Sequence, residues 1–107
     1  SLLTYLANLN HSYAQLFLGK IYLEGGNVRK NDKKALKYLS LSANQNNKQA
    51  QYTLGECYLD GFITPRDIYR SIHYLELASK QNFIKADYLL GHIYFEVLKK
   101  EYNKGLK

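Results

Sequence analysis

The chain is poor in residues that build covalent or metal-linked sites, with one cysteine, one proline, no methionine and no tryptophan among 107 residues. The lone Cys57 excludes an internal disulfide, a CxxC redox pair and a cysteine-rich metal site. One proline and seven glycines exclude collagen-like and low-complexity chains, and so little proline favours helices. We interpret Cys57 as a small buried hydrophobic residue rather than a nucleophile.

Long hydrophobic runs are also missing. No apolar stretch approaches the roughly 18–20 residues that span a bilayer, and the N-terminal SLLTYLANLN has neither a basic leader nor a small-residue cleavage site. The scarcity of cysteine favours a reducing compartment, so we predict a cytoplasmic location. Because the chain starts without methionine and looks like a fragment, a secreted or lumenal location remains the alternative.

The chain does contain a repeat. The stretches LGKIY, LGECY and LGHIY begin at Leu18, Leu54 and Leu90, so they recur every 36 residues. Glycine inside a helix costs about 1 kcal/mol relative to alanine. Its recurrence at the same position of every 36-residue period therefore needs a structural reason. Periods of roughly 20–50 residues are typical of solenoids, and 46% hydrophobic residues indicate a globular chain.

Each period contains two helical patterns. In the second copy, apolar residues fall on one face of a helix over residues 49–60, which Gly61 ends. A second pattern covers residues 68–81, and Asp67 can cap its first turn. Asparagine tolerates the left-handed conformation that closes helices, which explains the recurrence of three asparagines. They are Asn10, Asn46 and Asn82.

The recurring glycines Gly19, Gly55 and Gly91 are expected to lie where the first helix of each pair crosses the second. Without a side chain at that point, two helices can approach closely, and packing offsets the cost of the glycine. The predicted divisions are residues 1–10 as the end of a preceding repeat, 11–46, 47–82, and 83–107 as an incomplete third repeat.

The two ends are expected to lie inside repeats. Residues 104–107 resemble 34–37, so we predict a shortened loop and the start of another helix there. Polar capping faces are missing at both ends. This predicts either a segment of a longer array or self-association through open repeat ends.

The residues that recur in each period resemble the pattern of the Sel-1-like repeat (SLR) family, a branch of the tetratricopeptide-like α-solenoids. The second copy carries the resemblance at Ala50, Leu54, Gly55, Tyr58, Gly61, Asp67, Arg70, Tyr74, Asn82 and Ala86. The first copy matches at Ala14, Leu18, Gly19, Tyr22, Gly25, Val28, Lys34, Ala35, Tyr38 and Ala43. The resemblance implies an all-α fold, a right-handed α/α superhelix of antiparallel helix pairs. It also implies a scaffold or adaptor that binds other proteins.

No constellation of catalytic residues is present. The histidines His11, His73 and His92 have no second histidine or cysteine at ligand spacing, and no HExxH, GxSxG or phosphate-loop motif occurs. His92 and Glu96 are one helical turn apart, which we interpret as a surface pair. We therefore predict no enzyme activity, no catalytic residue, no cofactor and no metal.

The first helix of each pair lines the concave side in tetratricopeptide-like stacks, as the resemblance implies. One stripe of each such helix is left free, and we predict that it binds a peptide or helix of another protein. The residues predicted to bind are Tyr13, Leu16, Lys20, Glu24, Gln49, Tyr52, Glu56, Asp60, Lys85, Tyr88, His92 and Glu96. The same stripe also carries Leu23, Leu59 and Phe95. The tyrosines can equally belong to an inter-repeat core. The repeated acids can equally be hydrogen-bonded to a loop or a tyrosine hydroxyl.

The net charge of +6 leaves a second hypothesis open. Residues 29–37 contain five cations that could bind nucleic acid or an anionic membrane. The second repeat does not continue this stretch, so we consider nucleic acid the less favoured partner and a solvated surface the better interpretation. A structural spacer within a larger complex is the third hypothesis.

Overall fold

A computed structural model describes residues 1–26 and 28–105, and that part of the chain is helical, with no β-strand. The predicted all-α class is therefore confirmed. The helices are α1 (Leu2–Asn8), α2 (Ser12–Glu24), α3 (Asp32–Asn44), α4 (Lys48–Asp60), α5 (Ile68–Ser79) and α6 (Ile84–Gly105). Within these described ranges, no helix combines the length and apolar character that a bilayer crossing requires.

Local sequence signals set the helix ends. The side chain at the N-cap of each of the first five helices accepts a hydrogen bond from a backbone N–H three residues later. The predicted left-handed asparagines are confirmed, because φ is 67° at Asn10, 66° at Asn46 and 62° at Asn82. Gly61 closes α4 in the same region with φ 69°. The α-hairpin pattern is thus encoded locally at each turn.

Consecutive helices pair in antiparallel fashion. The Ser42 hydroxyl near the end of α3 donates to the Ser12 carbonyl at the start of α2, at 2.7 Å. At the opposite end of the same pair, the rings of Tyr22 and Tyr38 stack with centroids 6.1 Å apart. The rings of Tyr58 and Tyr74 stack in the same way between α4 and α5, at 5.9 Å.

The glycine hypothesis is confirmed in two copies. A Cβ built at Gly19 would lie 2.8 Å from the Cγ of Leu39, and one at Gly55 would lie 2.6 Å from the Cγ of Leu75. Among the described residues, a Cβ at Gly91 would meet no atom within 4 Å. The first two glycines allow close helix crossing, whereas the third faces open space.

The apolar core continues from repeat to repeat. Its central cluster joins α2, α3 and α4, and clusters at either side extend it to α1 and α6. The central members are Leu16, Leu39, Ala43, Ala50, Leu54 and Tyr58. The described chain is elongated, measuring 57 × 28 × 17 Å. Each helix pair therefore depends on its neighbours to bury its apolar faces.

A buried ladder of amides also joins the repeats, and the sequence analysis did not identify it. The side-chain nitrogen of Gln51 donates to the carbonyl of Ala43 at 3.3 Å and to the side chain of Asn46 at 3.2 Å. Gln81 in turn donates to the side-chain oxygen of Gln51 at 3.0 Å. Gln15, one period earlier than Gln51, makes the corresponding bonds. The ladder satisfies buried polar atoms along the stack.

The prediction of a shortened loop in the third copy is wrong. α6 runs without a break from Ile84 to Gly105, through the segment where a turn was expected. Val97 stands where Gly25 and Gly61 end the earlier helices, and the following residues are good helix formers without proline. The predicted helix start at residues 104–107 falls partly outside the described residues, because 106–107 are not among them.

Candidate functional site

A groove with a volume of about 620 Å³ lies between α2, α4 and the beginning of α6. Its walls thus come from the first helix of three successive repeats. Six of the predicted binding residues line it, namely Lys20, Glu24, Gln49, Tyr52, Glu56 and Lys85. Leu23, Thr53 and Phe83 complete the lining.

Two smaller hollows continue the line of this groove. The first, of about 170 Å³, shares Glu56 with the groove and adds Asp60 and Phe62. The second, of about 240 Å³, joins Asp60 to His92 and Glu96 on α6. The three hollows therefore connect predicted residues of all three repeats along one surface.

The repeated acids Glu24, Asp60 and Glu96 are all solvent-exposed. Across residues 1–26 and 28–105, their carboxylates take part in no ion pair. Glu24 and Asp60 are the last residues of their helices, where the helix dipole disfavours negative charge by about 0.3 kcal/mol or more. The negative charge of Glu24 is consequently available in the groove, and that of Asp60 in the two smaller hollows.

Tyr52 has two roles in the wall of the groove. Its ring packs against Phe83 with centroids 5.3 Å apart, so it contributes to the contact between successive repeats. It is only partly buried, and the rest of the side chain faces the groove. Burial raises the pKa of the Tyr52 phenol, and the negative charge of Glu56 raises it further. The phenol is therefore a neutral hydrogen-bonding group at physiological pH.

The sequence comparison identifies the family. The Sel1 repeat model matches two adjacent segments, residues 12–47 and 48–83, which together make up more than half of the chain. The chain belongs to the Sel1 repeat family. Sel1 repeat proteins generally mediate protein–protein interactions. A search of curated proteins gives no match.

Solved Sel1 repeat structures resemble this chain closely. A protective antigen of uropathogenic Escherichia coli strains, which displays an SLR fold, is 29% identical with a TM-score of 0.85 over 88% of this chain. A Sel1 repeat protein from Oxalobacter formigenes is 31% identical with a TM-score of 0.79, again over 88% of this chain. The chain covers 20% of the first structure and 71% of the second. The solenoid predicted from the resemblance is therefore confirmed.

The prediction that Leu16 contacts a partner is wrong. Leu16 is 0% exposed, because α3 and α4 cover it within the central core cluster. Tyr52, one period later, is partly buried. Tyr88, two periods later, is 79% exposed. These three residues therefore occupy an inter-repeat packing position. Their exposure depends on whether another repeat of the described chain packs over them. Tyr13 is exposed and, like Tyr88, lies outside the linings of the three hollows.

The basic residues of the first repeat lie against aromatic rings. Three lysine nitrogens sit over ring faces, a geometry that attracts cations to the π system. The pairs are Lys30 with Phe62, Lys34 with Tyr22 and Lys37 with Tyr38, with nitrogen-to-centroid distances of 4.9, 5.2 and 5.3 Å. Lys30 also pairs with Asp32. These internal contacts support the interpretation of the stretch as an ordinary surface of the Sel1 repeat.

Cys57 is buried beside the smaller hollow, as the sequence predicted. Burial raises the pKa of its thiol to about 11, and the nearby charges of Glu56 and Asp60 add to the increase. Since the thiolate is the reactive form, we expect Cys57 to react with a disulfide reagent at pH 8 about 100-fold more slowly than a free cysteine of ordinary pKa. The measurement is the reagent's absorbance change over time.

The unfolded protein provides the control for Cys57. In concentrated guanidinium chloride the thiol regains an ordinary pKa, so the reaction should become fast. Equal rates in native and denaturing buffer would contradict the burial of this thiol.

Two residues that line the groove were missed by the sequence analysis, Thr53 and Phe83. Thr53 corresponds to the apolar Phe17 and Leu89 in the other copies, so the three residues at this position of the repeat share no chemical character. Phe83 lies in the corner before α6, outside the helical stripe used for the prediction. Within the described residues, no group of three or more histidine, cysteine or acidic side chains could hold a metal ion.

Proposed function

We propose that this Sel1 repeat domain is a non-catalytic module that binds a peptide segment of a partner protein in the groove between α2, α4 and α6. The groove itself supports the proposal, because it collects side chains from three repeats into one open hollow of about 620 Å³. That space suits a few side chains of an extended segment or one face of a helix.

The groove carries both signs of charge, because Lys20 and Lys85 line it together with Glu24 and Glu56, whereas the adjoining hollow carries acids alone. Where the groove meets that hollow, the lining favours a partner segment with a cationic residue between apolar ones. Glu24 and Glu56 supply negative charge, and Asp60 extends it into the adjoining hollow. Leu23 and Phe62 line the same hollow as Glu56 and Asp60 and provide apolar contact. The exposed Gln49 amide can exchange hydrogen bonds with a peptide backbone, whereas the Thr53 hydroxyl already donates to the Gln49 carbonyl at 2.8 Å and can only accept. Charge here steers association and selects the partner more than it sets the raw affinity.

The proposal is tested with peptides selected from a random library displayed on phage, using the folded chain as bait. Fluorescence anisotropy then gives Kd for the selected peptides. We expect Glu56→Lys to raise Kd by about tenfold or more, because it reverses the charge at the junction of two hollows. Glu56 is better suited to this test than Tyr52, whose ring also packs against Phe83.

Glu101→Lys is the matched control for Glu56→Lys. It makes the same charge change at an exposed position of α6 outside the three hollows. Its Kd should equal that of the unmodified chain. If Glu56→Lys and Glu101→Lys bound the selected peptides equally well, the groove would not be the binding site.

A further inference from the structure

The groove between α2, α4 and α6 is lined by two charged side chains of each sign. Lys20 and Glu24 come from α2, Glu56 from α4 and Lys85 from α6. In the described part of the chain, none of these four takes part in an ion pair. Elsewhere a lysine and an arginine do pair with nearby aspartates. The groove therefore offers both cations and anions to a ligand.

The charges are unevenly distributed along α4. Lys85 is one period after Gln49, so it lies beside the first turn of α4. Glu56 and Asp60 follow Gln49 on α4, and Asp60 continues the surface into the two smaller hollows. At about 1.5 Å per residue, Glu56 lies about 10 Å and Asp60 about 16 Å further along the helix than Gln49. Lys20 is at the level of Glu56 on the α2 wall, so Lys85 is the cation that stands apart from the acids.

The backbone adds to this asymmetry. α2, α4 and α6 are the first helices of successive antiparallel pairs, so they run parallel and their dipoles point the same way. A helix dipole is equivalent to about half a positive charge at the N-terminal end and about half a negative charge at the C-terminal end. Lys85 lies in the first turn of α6, whereas Glu24 and Asp60 are the last residues of α2 and α4. Side chains and backbone thus make one end of the groove positive and the other end negative.

The exposure of Lys85 belongs to its position in the repeat. Gln49 and Tyr13 occupy the same position one and two periods earlier, and both are exposed although further helices pack beyond them. Glu24, Glu56 and Asp60 belong to α2 and α4, which other helices flank on both sides. The charge asymmetry is therefore a property of the groove itself.

We propose that the groove selects a partner segment with one acidic and one cationic residue, and that the two charges fix its orientation along α4. The inference rests on the function proposed above and adds what the partner must carry. The acidic side chain lies beside Lys85, and the cationic one lies in the hollow that Glu56 and Asp60 share. Tyr52 and Phe83 contact the apolar residues in between. An extended segment rises about 3.3 Å per residue, so the two charged residues are about three to five positions apart.

Lys85→Glu tests the position of the acidic residue. The probes are synthetic copies of the peptides selected on phage, with blocked termini so that terminal charges do not contribute. Their Kd for Lys85→Glu, measured by fluorescence anisotropy, should be about tenfold or more above that for the unmodified chain. The variant should fold, because Lys85 is exposed and the first turn of a helix favours an acidic residue.

Exchanging charges between peptide and protein identifies the contact. A peptide with lysine in place of its acidic residue should bind the unmodified chain weakly and bind Lys85→Glu to within about threefold of the original pair. The cationic residue of the peptide should show the same reciprocal behaviour with Glu56→Lys and not with Lys85→Glu. Lys99→Glu is the matched control, because it makes the same charge change at an exposed position of α6 outside the three hollows. Its Kd should equal that of the unmodified chain.

A loss of binding in Glu56→Lys but not in Lys85→Glu would leave the groove as the binding site and overturn the charge order. Selected peptides without an acidic residue would overturn it as well, as would an equal loss of binding in Lys99→Glu. If neither Glu56→Lys nor Lys85→Glu changed Kd, the groove would not bind the peptides at all, and the proposed function would fail with the inference.

Discussion

Gln51→Ala should lower the free energy of unfolding by about 3 kcal/mol. The side chain of Gln51 is 1% exposed, and it links the carbonyl of Ala43, the amide of Asn46 and the amide of Gln81. Truncation removes these three hydrogen bonds and creates a cavity, and the two costs add. For a domain of this size the midpoint of thermal unfolding should fall by about 10–20 °C.

Gln49→Ala is the matched control for this prediction. Gln49 is exposed on the same helix, two residues before Gln51. The same substitution there should change the free energy of unfolding by less than about 0.5 kcal/mol. Chemical denaturation followed by circular dichroism measures both values. Similar small effects for the two variants would show that the amide ladder contributes little to stability.

Gly55→Ala and Gly91→Ala are expected to have opposite effects on stability. The new Cβ at position 55 would lie 2.6 Å from Leu75, which is fully buried and cannot move freely. Overpacking of this kind costs about 1–3 kcal/mol, even though alanine favours the helix. No atom of residues 1–26 and 28–105 lies within 4 Å of a Cβ at position 91, so the helix preference decides and stability should rise by about 0.5–1 kcal/mol.

The pair is measured by urea denaturation at micromolar concentration, where association of the chain contributes least. Identical changes of one sign in both variants would contradict the proposed role of Gly55 in helix crossing. Because the two residues share their place in the period, this comparison separates the effect of packing from that of helix preference.

The periodic part of the architecture could be predicted from sequence because it depends on local chemistry. Asn10, Asn46 and Asn82 each close a helix through their own backbone tolerance, and each was identified correctly. Gly19 and Gly55 were likewise identified by their recurrence. In these positions the same residue solves the same local problem in every repeat.

The aperiodic part could not be predicted, because it depends on which neighbour a residue meets. Leu16, Tyr52 and Tyr88 share one register, yet their exposure ranges from 0% to 79% since a following repeat covers only the earlier ones. Ile63 adopts φ 62°, an unfavourable value for a β-branched residue, while its side chain packs against the central cluster. Tertiary contact, rather than residue preference, decides these positions.

The groove takes one of its walls from the start of α6, the last helix of the described stack. A ligand bound there would hold three consecutive repeats in place, and any loosening of α6 would remove Lys85 from the cleft. Occupancy of the groove and the packing of α6 against α5 therefore share one equilibrium. Conditions that detach α6 should weaken capture, and a bound ligand should in turn oppose that detachment.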